Sequence, residues 1–268
     1  MIALLCTVRD CHAPLSREER RYVCGNGHSF DLARSGYVNL LQPQDRRSKS
    51  PGDTPEAVNA RRRFLDRGFA EPLVQTIVGL LPLSAADALL DAGCGEGHHL
   101  GAFRRTYGVE AHGIDISIPA IDAAARRHRD CHFVVANADR FLPYADASFA
   151  AVASITARMN AEEFRRVLVP GGRLLVAIPG ADDLVELREA ILGGRVERDR
   201  VERTVELFPG FTLEHHETAK SVATLDRAAM IDVMTSSYRG LRPREREKLE
   251  RMNEMDVTLA RDLLLFRR

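Results

Sequence analysis

Three features predict an α/β fold: a doubly wound, mainly parallel sheet preceded by a small zinc-binding module. From Ala88 onward, short apolar strands alternate with amphipathic helices, as a parallel sheet with crossover helices requires. At the head of that alternation, Leu89-Leu90-Asp91-Ala92-Gly93-Cys94-Gly95-Glu96-Gly97 runs from an apolar strand end into three alternating glycines. Ahead of it, Cys6 and Cys11 are followed, about a dozen residues later, by Cys24 and His28.

The composition of the 268-residue chain fits a globular protein, with 45% hydrophobic and 28% charged residues. The formal net charge is zero, so no global basic excess points to nucleic acid. The charge is unevenly spread, however: residues 1–63 hold eleven Lys/Arg against seven Asp/Glu, a local excess of four. No apolar run reaches the length of a transmembrane helix, and the first residues lack the basic leader of a signal peptide. Five cysteines, an odd number, argue against a disulfide framework, and a cytoplasmic location is expected.

Four residues separate Cys6 from Cys11 and three separate Cys24 from His28, the pattern of two knuckles closing on tetrahedral zinc. Thiolate and imidazole suit that ion, and four protein ligands leave no open position, so the site is structural. The segment is too poor in apolar residues to bury a core alone, so the metal supplies folding energy. His12 competes for the fourth position, but it adjoins Cys11 and completes the second knuckle less well than His28. The alternative is unpaired thiols and a surface histidine.

Ser29-Phe30-Asp31 and residues 36–41 alternate as short strands or an extended wrap. Residues 42–53 are polar, basic and turn-rich. They form either a solvated connection or, through Arg46, Arg47 and Lys49, a phosphate-gripping arm. Thr54 caps a helix with Pro55 in its first turn and Gly68 at its end. Its Arg61, Arg62 and Arg63 read as a solvated face. A second helix over 70–81 places Leu73, Ile77, Leu80 and Leu81 on one face. Pro82 and Ser84 close it before the first strand of the sheet.

That strand, 88–90, ends at the glycines. Only residues without Cβ let backbone approach a ligand so closely, and a helix from His98 then aims its free N–H groups into the same crevice. The next strand, 111–114, ends at Asp115, eighteen residues beyond Gly97, where a carboxylate can accept two ribose hydroxyls. Helices follow over 119–127, 161–168, 183–192, 226–234 and 243–252. Strands follow over 132–135, 149–155, 173–178, 211–217 and 255–266. Position 98 is His, so the dinucleotide spacing G-x-G-x-x-G is absent. Cys94 reads as a packed turn residue. His98 and His99 read as polar caps or surface groups, and Phe30 and Tyr37 as packing or base-stacking rings.

These residues resemble the Rossmann-like, seven-stranded class I S-adenosylmethionine (SAM) methyltransferases. The resemblance is carried by Leu89 to Gly97, Gly113-Ile114-Asp115, Leu142-Pro143-Tyr144-Ala145-Asp146-Ala147-Ser148-Phe149 and Arg166-Val167-Leu168-Val169-Pro170-Gly171-Gly172. The front of the chain is similar to the RlmA-type 23S rRNA (guanine-N1)-methyltransferases. There it rests on the Cys/His module, Gly36-Tyr37-Val38-Asn39-Leu40-Leu41, Ser50-Pro51-Gly52-Asp53 and Ala60-Arg61-Arg62-Arg63-Phe64-Leu65-Asp66. The resemblance implies methyl transfer from SAM to N1 of a guanine in a 23S rRNA hairpin, and family members are described as dimers. It divides the chain into a zinc-binding RNA-recognition module (1–41), a linker with helices (42–84) and a methyltransferase domain (85–268).

It also implies site residues. Asp91, Gly93, Gly95, Glu96 and Gly97 match the loop that holds the methionine part of SAM, Asp115 the ribose-binding acid, and Asn137, Ala138 and Asp139 the adenine loop. Cys6, Cys11, Cys24 and His28 match the zinc ligands. Three departures stand out: the longer first cysteine spacing, Ile155-Thr156-Ala157-Arg158 where relatives often carry an aromatic, a small residue and a proline, and Asp182-Asp183 where a histidine is common. Guanine N1 must lose a proton, so Asp183 is the candidate acceptor and Arg158 the candidate donor to charge developing on O6. Either is alternatively a solvated loop residue. Two other functions remain open: a small-molecule SAM methyltransferase, and an RNA- or ribosome-binding protein without transfer activity.

Overall fold

A computed structural model describes residues 2–45, 48–194, 199–237 and 241–268. Arg46 and Arg47 of the expected basic arm lie outside the described residues. The first three strands, β1 (Leu15–Arg17), β2 (Arg21–Cys24) and β3 (Ser29–Asp31), form an antiparallel ribbon. β4 (Val38–Asn39) then leaves it and pairs parallel with a strand of the main sheet. The sequence-based boundary at residue 41 therefore takes in a strand that belongs to the larger sheet.

α1 (Pro55–Asp66) begins as expected: the Thr54 hydroxyl accepts from Ala57 N at 3.2 Å. α2 (Glu71–Gly79) follows and buries Leu73, Val74, Ile77 and Val78. The sheet and its helices come next, as β5 (Ala88–Ala92), α3 (His98–Tyr107), β6 (Glu110–Asp115), α4 (Ile118–Arg127), β7 (His132–Val135), β8 (Phe149–Ile155), α5 (Ala161–Val167) and β9 (Leu168–Pro179). The last third contains α6 (Val185–Leu192), α7 (Val201–Glu206), β10 (Thr212–Asp226), α8 (Arg227–Thr235), α9 (Pro243–Glu250) and β11 (Glu254–Arg267).

Eight strands lie in the order β10-β11-β9-β8-β5-β6-β7-β4. Counting from β5, the seven expected strands lie in the order 3-2-1-4-5-7-6, and β4 extends the sheet. β5 to β9 are parallel and β11 is antiparallel to β9 and β10. Strand order reverses at β5, which places the glycine loop at the switch point where α/β sheets bind ligands. β10 is longer than the expected 211–217. Its added residues are a half-exposed edge that lacks a strong apolar alternation but pairs with β11 throughout. α7 had no sequence counterpart.

The crossover from β7 to β8, residues 136–148, has no helix. The zinc module fills that layer. Leu5 N donates to Pro143 O at 3.0 Å, Leu4 bridges to Tyr144, and Leu4, Cys6, Leu15, Cys24 and Phe30 share one buried cluster with Leu90, Ile114, Val134 and Tyr144. The opposite face is covered by α2, α3 and α4. A third cluster joins α1 to α6, α8, α9 and the far ends of β10 and β11.

Candidate metal centre and cofactor site

Cys6, Cys11, Cys24 and His28 converge so that all four donor atoms lie within 4.8 Å of one another. Cys11 Sγ is 3.8 Å from Cys24 Sγ, and His28 Nδ1 is 3.5 Å from Cys6 Sγ and 3.4 Å from Cys24 Sγ. Ligands at ordinary zinc bond lengths in a tetrahedron stand about 3.8 Å apart for two sulfurs and about 3.5 Å for sulfur and nitrogen. The donor set therefore fits zinc in both chemistry and spacing. β2 delivers Cys24, and the turn closed by Gly27 N to Cys24 O at 2.9 Å returns His28 to it. Asn26 Nδ2 donates to Cys11 Sγ at 3.1 Å, a contact that steadies a thiolate. The Cys11 thiol is drawn down to about 6, first by the Ala13 backbone and then by Asn26, whereas burial pushes Cys6 up to about 12.

His12 does not compete for the metal. Its ring stacks on Phe141 with centroids 4.1 Å apart. A second group, Glu110, His112 and His132, also lies within 4.8 Å. The two imidazoles are stacked at 4.7 Å with planes only 28° apart, so their in-plane lone pairs do not meet at one ion. This group is a packing stack.

Gly93, Gly95 and Gly97 all have positive φ, at 85°, 54° and 77°. At Gly93 a Cβ would stand 2.4 Å from Ala157 Cβ, so the loop after β8 presses directly on the glycine turn. Gly95 N donates to Asp115 Oδ2 at 3.0 Å, and Ser117 N donates to Oδ1 at 2.8 Å. Each oxygen keeps a lone pair for a hydroxyl. Asp91, the last residue but one of β5, is enclosed, and its Oδ1 has no hydrogen-bond partner. Burial, reinforced by Asp115 and Glu96, raises its carboxyl to about 8. An orphaned acid of this kind suits an ammonium, and the glycine cradle suits a close backbone approach, so the residues fit the amino-acid end of SAM.

Arg61 is the residue that sequence reading missed. Its Nε donates to Glu96 Oε2 at 2.7 Å, and its Nη2 lies 2.7 Å from Asp53 Oδ2. The same Nη2 stands 3.2 Å from where a Gly95 Cβ would be. The guanidinium thus ties the end of the 42–53 segment to the glycine loop. Ser117 Oγ donating to Asp53 O at 2.8 Å, and Asn137 Nδ2 donating to Asp45 O at 2.7 Å, hold that segment along the same rim. The arginine run is therefore divided: Arg61 faces the loop, Arg62 is exposed, and Arg63 forms a two-pronged contact with Asp232 of α8. A sign was present in the sequence, since a helical step of 100° cannot put three consecutive side chains on one face.

The remaining site residues are placed as follows. Asn137 Oδ1 accepts from Asp139 N at 3.0 Å, which turns the loop after β7 back across Ala138. Arg158 reaches over it, with Nε 3.5 Å from Asp139 Oδ2 and most of the side chain exposed. Asp183 lies against the last strand. Its Oδ1 accepts from Ala260 N at 2.9 Å and lies 2.6 Å from Arg261 Nη1, so the carboxylate anchors β11. Cys94 is buried against Gly113, and burial holds its thiol well above the usual range, as expected of a packing residue. His98 and His99 open α3, and both are pushed down by burial, His99 to about 3.

Comparisons with known proteins place the chain among zinc-ribbon methyltransferases. Residues 5–49 match the zinc-ribbon family described as RlmA, N-terminal, and residues 89–172 match a methyltransferase domain family. A 23S rRNA (guanine(748)-N(1))-methyltransferase of Streptomyces fradiae is 38% identical over 82% of this chain and 80% of its own length. A protein of Bacillus subtilis (strain 168), whose name assigns it provisionally as a 23S rRNA (guanine-N(1)-)-methyltransferase, is 33% identical over 89% of this chain and 88% of its own. A solved Haloferax volcanii complex of the Trm112 methyltransferase activator contains a chain that overlays with a TM-score of 0.54. That chain is 20% identical and is covered to 99%, against 81% of this protein, so it shows the shared fold alone.

Proposed function

Because the chain belongs to the family of 23S rRNA (guanine-N1)-methyltransferases, we propose a division of labour among its residues for that reaction. The protein is a SAM-dependent methyltransferase that acts on N1 of a guanine in 23S rRNA, with zinc in its amino-terminal ribbon. The observation that carries this is similarity over more than four fifths of the chain joined to a built Cys3His centre.

Bound SAM supplies an activated methyl group. The chain supplies position and exclusion of water. In our reading the glycine turn and Glu96 hold the methionine part, Asp91 Oδ1 takes its ammonium, Asp115 takes the ribose hydroxyls, and Asn137 to Asp139 border the adenine. Asn137 does so mainly through backbone, because its amide is committed to Asp45 and Asp139. Arg158 is the donor for charge developing on guanine O6, supported by its exposed guanidinium at the rim beside Asp139. With Asp183 Oδ1 engaged by β11, we read the N1 proton as leaving to solvent water.

We further read the target as a hairpin guanine, the protein as a homodimer and its place as the cytoplasm. No helix among the described residues is long and apolar enough to cross a membrane. Light scattering on the purified chain measures the dimer directly.

The test of function is methyl transfer from labelled SAM to unmethylated 23S rRNA, with the modified base located by reverse transcription. A single stop at a hairpin guanine is expected, since an N1 methyl blocks pairing. Label without a stop would place the methyl elsewhere and overturn the N1 assignment. In the same assay Arg158→Ala is expected to lower kcat about tenfold or more with little change in SAM affinity.

A further inference from the structure

A cavity of about 400 Å³ opens between the zinc module and the loop after β7. Its walls include Arg9, Asp10 and His12 from the first knuckle, Asp45 from the following segment, and Arg140 and Phe141 from the crossover. None of these six is a zinc ligand or belongs to the glycine loop. The cavity is also lined by Ala136 and Asn137, so it shares one wall with the adenine loop and extends from there towards the zinc module.

Two observations mark it as built. Asp10 and His12 both have positive φ, 60° and 44°, on either side of the zinc ligand Cys11. Left-handed backbone is unfavourable for a residue that carries a Cβ. The effect is to turn His12 from the metal onto Phe141, at 4.1 Å and 14°. Arg166 covers Phe141 at 5.0 Å from the ring centroid, so one wall is a fixed stack. The polar groups at the mouth are of both kinds: guanidiniums on Arg9 and Arg140, carboxylates on Asp10 and Asp45. Arg9 and Asp10 are only 3.8 Å apart, yet both side chains are more than four fifths exposed, so they remain open to a ligand. A base edge presents donors and acceptors together, and unpaired RNA is read at such edges. The volume admits one nucleotide and excludes a helical stem.

We propose that this junction cavity receives one unpaired nucleotide of the RNA substrate, separate from the nucleotide that is methylated. The inference rests on the rRNA reading above. It makes recognition depend on the zinc module and the methyltransferase sheet being docked as seen here.

The test compares the full-length protein with Arg9→Ala/Arg140→Ala and Arg9→Lys/Arg140→Lys, using unmethylated 23S rRNA transcript as probe. Zinc content and the Kd for SAM, by calorimetry, are measured on all three. The alanine pair is expected to raise KM for the transcript at least about tenfold, with zinc content and SAM affinity kept, and the lysine pair is expected not to restore it. An unchanged KM in a protein whose wild type methylates the transcript overturns the inference and leaves the function standing. Full rescue by lysine would reduce the effect to general charge and also overturn it. Loss of SAM affinity instead would assign the cavity to the cofactor. A wild type that does not methylate the transcript overturns the rRNA reading itself.

Discussion

Arg61 illustrates how a single side chain changes meaning on folding. Its 2.7 Å contact with Glu96 neutralises a carboxylate whose side chain is only 4% exposed, beside the buried Asp91 and the half-buried Asp115. Removing one member of a buried pair leaves an uncompensated charge, at about 3–5 kcal/mol when both are enclosed. Arg61 is about a quarter exposed, so roughly 2–3 kcal/mol is the expected loss for Arg61→Ala after discounting for solvent screening. Its affinity for SAM should fall as well, because the glycine loop loses its tie to Asp53. Urea unfolding and calorimetric SAM titration read the two effects separately. Arg62→Ala, on the exposed neighbour, is the control and should change neither. Equal behaviour of the two variants would refute the tie.

At the level of elements, the zinc ribbon substitutes for a crossover helix. A parallel β7–β8 connection ordinarily buries its sheet face under a helix, but residues 136–148 form none, and the ribbon supplies Leu4, Leu15 and Phe30 in its place. The metal therefore stabilises the catalytic sheet as well as the ribbon. Cys24→Ser is expected to abolish zinc binding and lower the Tm of the whole chain by several degrees, with new binding of a hydrophobic dye. A cobalt-substituted protein should show the charge-transfer bands of thiolate ligation, lost in the same variant. An unchanged Tm would mean that the ribbon and the sheet are energetically separate.

Across the whole molecule, histidines held neutral by their surroundings are expected to set the response to acid. Burial lowers His99 to about 3 and both His112 and His128 to about 4, in His112 against the opposing pull of Glu110. The unfolded chain, with histidine near pH 6.5, binds more protons than the folded one. Stability from these groups is complete above about pH 6.5 and is lost as pH falls towards 4. Asp91 works the other way: its folded value near 8 lies above the unfolded carboxylate, so between about pH 8 and 4 it gains stability as pH falls and offsets part of the loss from the three histidines. The net expectation is a urea midpoint clearly lower at pH 5 than at pH 7.5. His112→Phe should reduce that difference, because its ring sits among Tyr144 and Phe149 and no longer titrates. A pH difference identical to wild type would exclude His112 as a contributor.

The chain sequence sufficed where the cause is local. Thr54-Pro55 starts a helix, β-strands 132–135 and 149–155 are mostly apolar, and three glycines before His98 mark a turn that favours glycine. Cys6, Cys11, Cys24 and His28 were legible because metal geometry constrains ligand type and spacing within one short segment. Causes spread over distant residues were not legible. Asp183 looked like a free carboxylate until β11, nearly 80 residues later, brought Ala260 and Arg261 against it. Arg61 looked solvated until Asp53 and Glu96 met it, and β10 looked short until β11 paired along its full length. The electrostatic role of a side chain depends on which charges surround it. In this protein those charges come from other elements, so only their assembly in three dimensions sets that role.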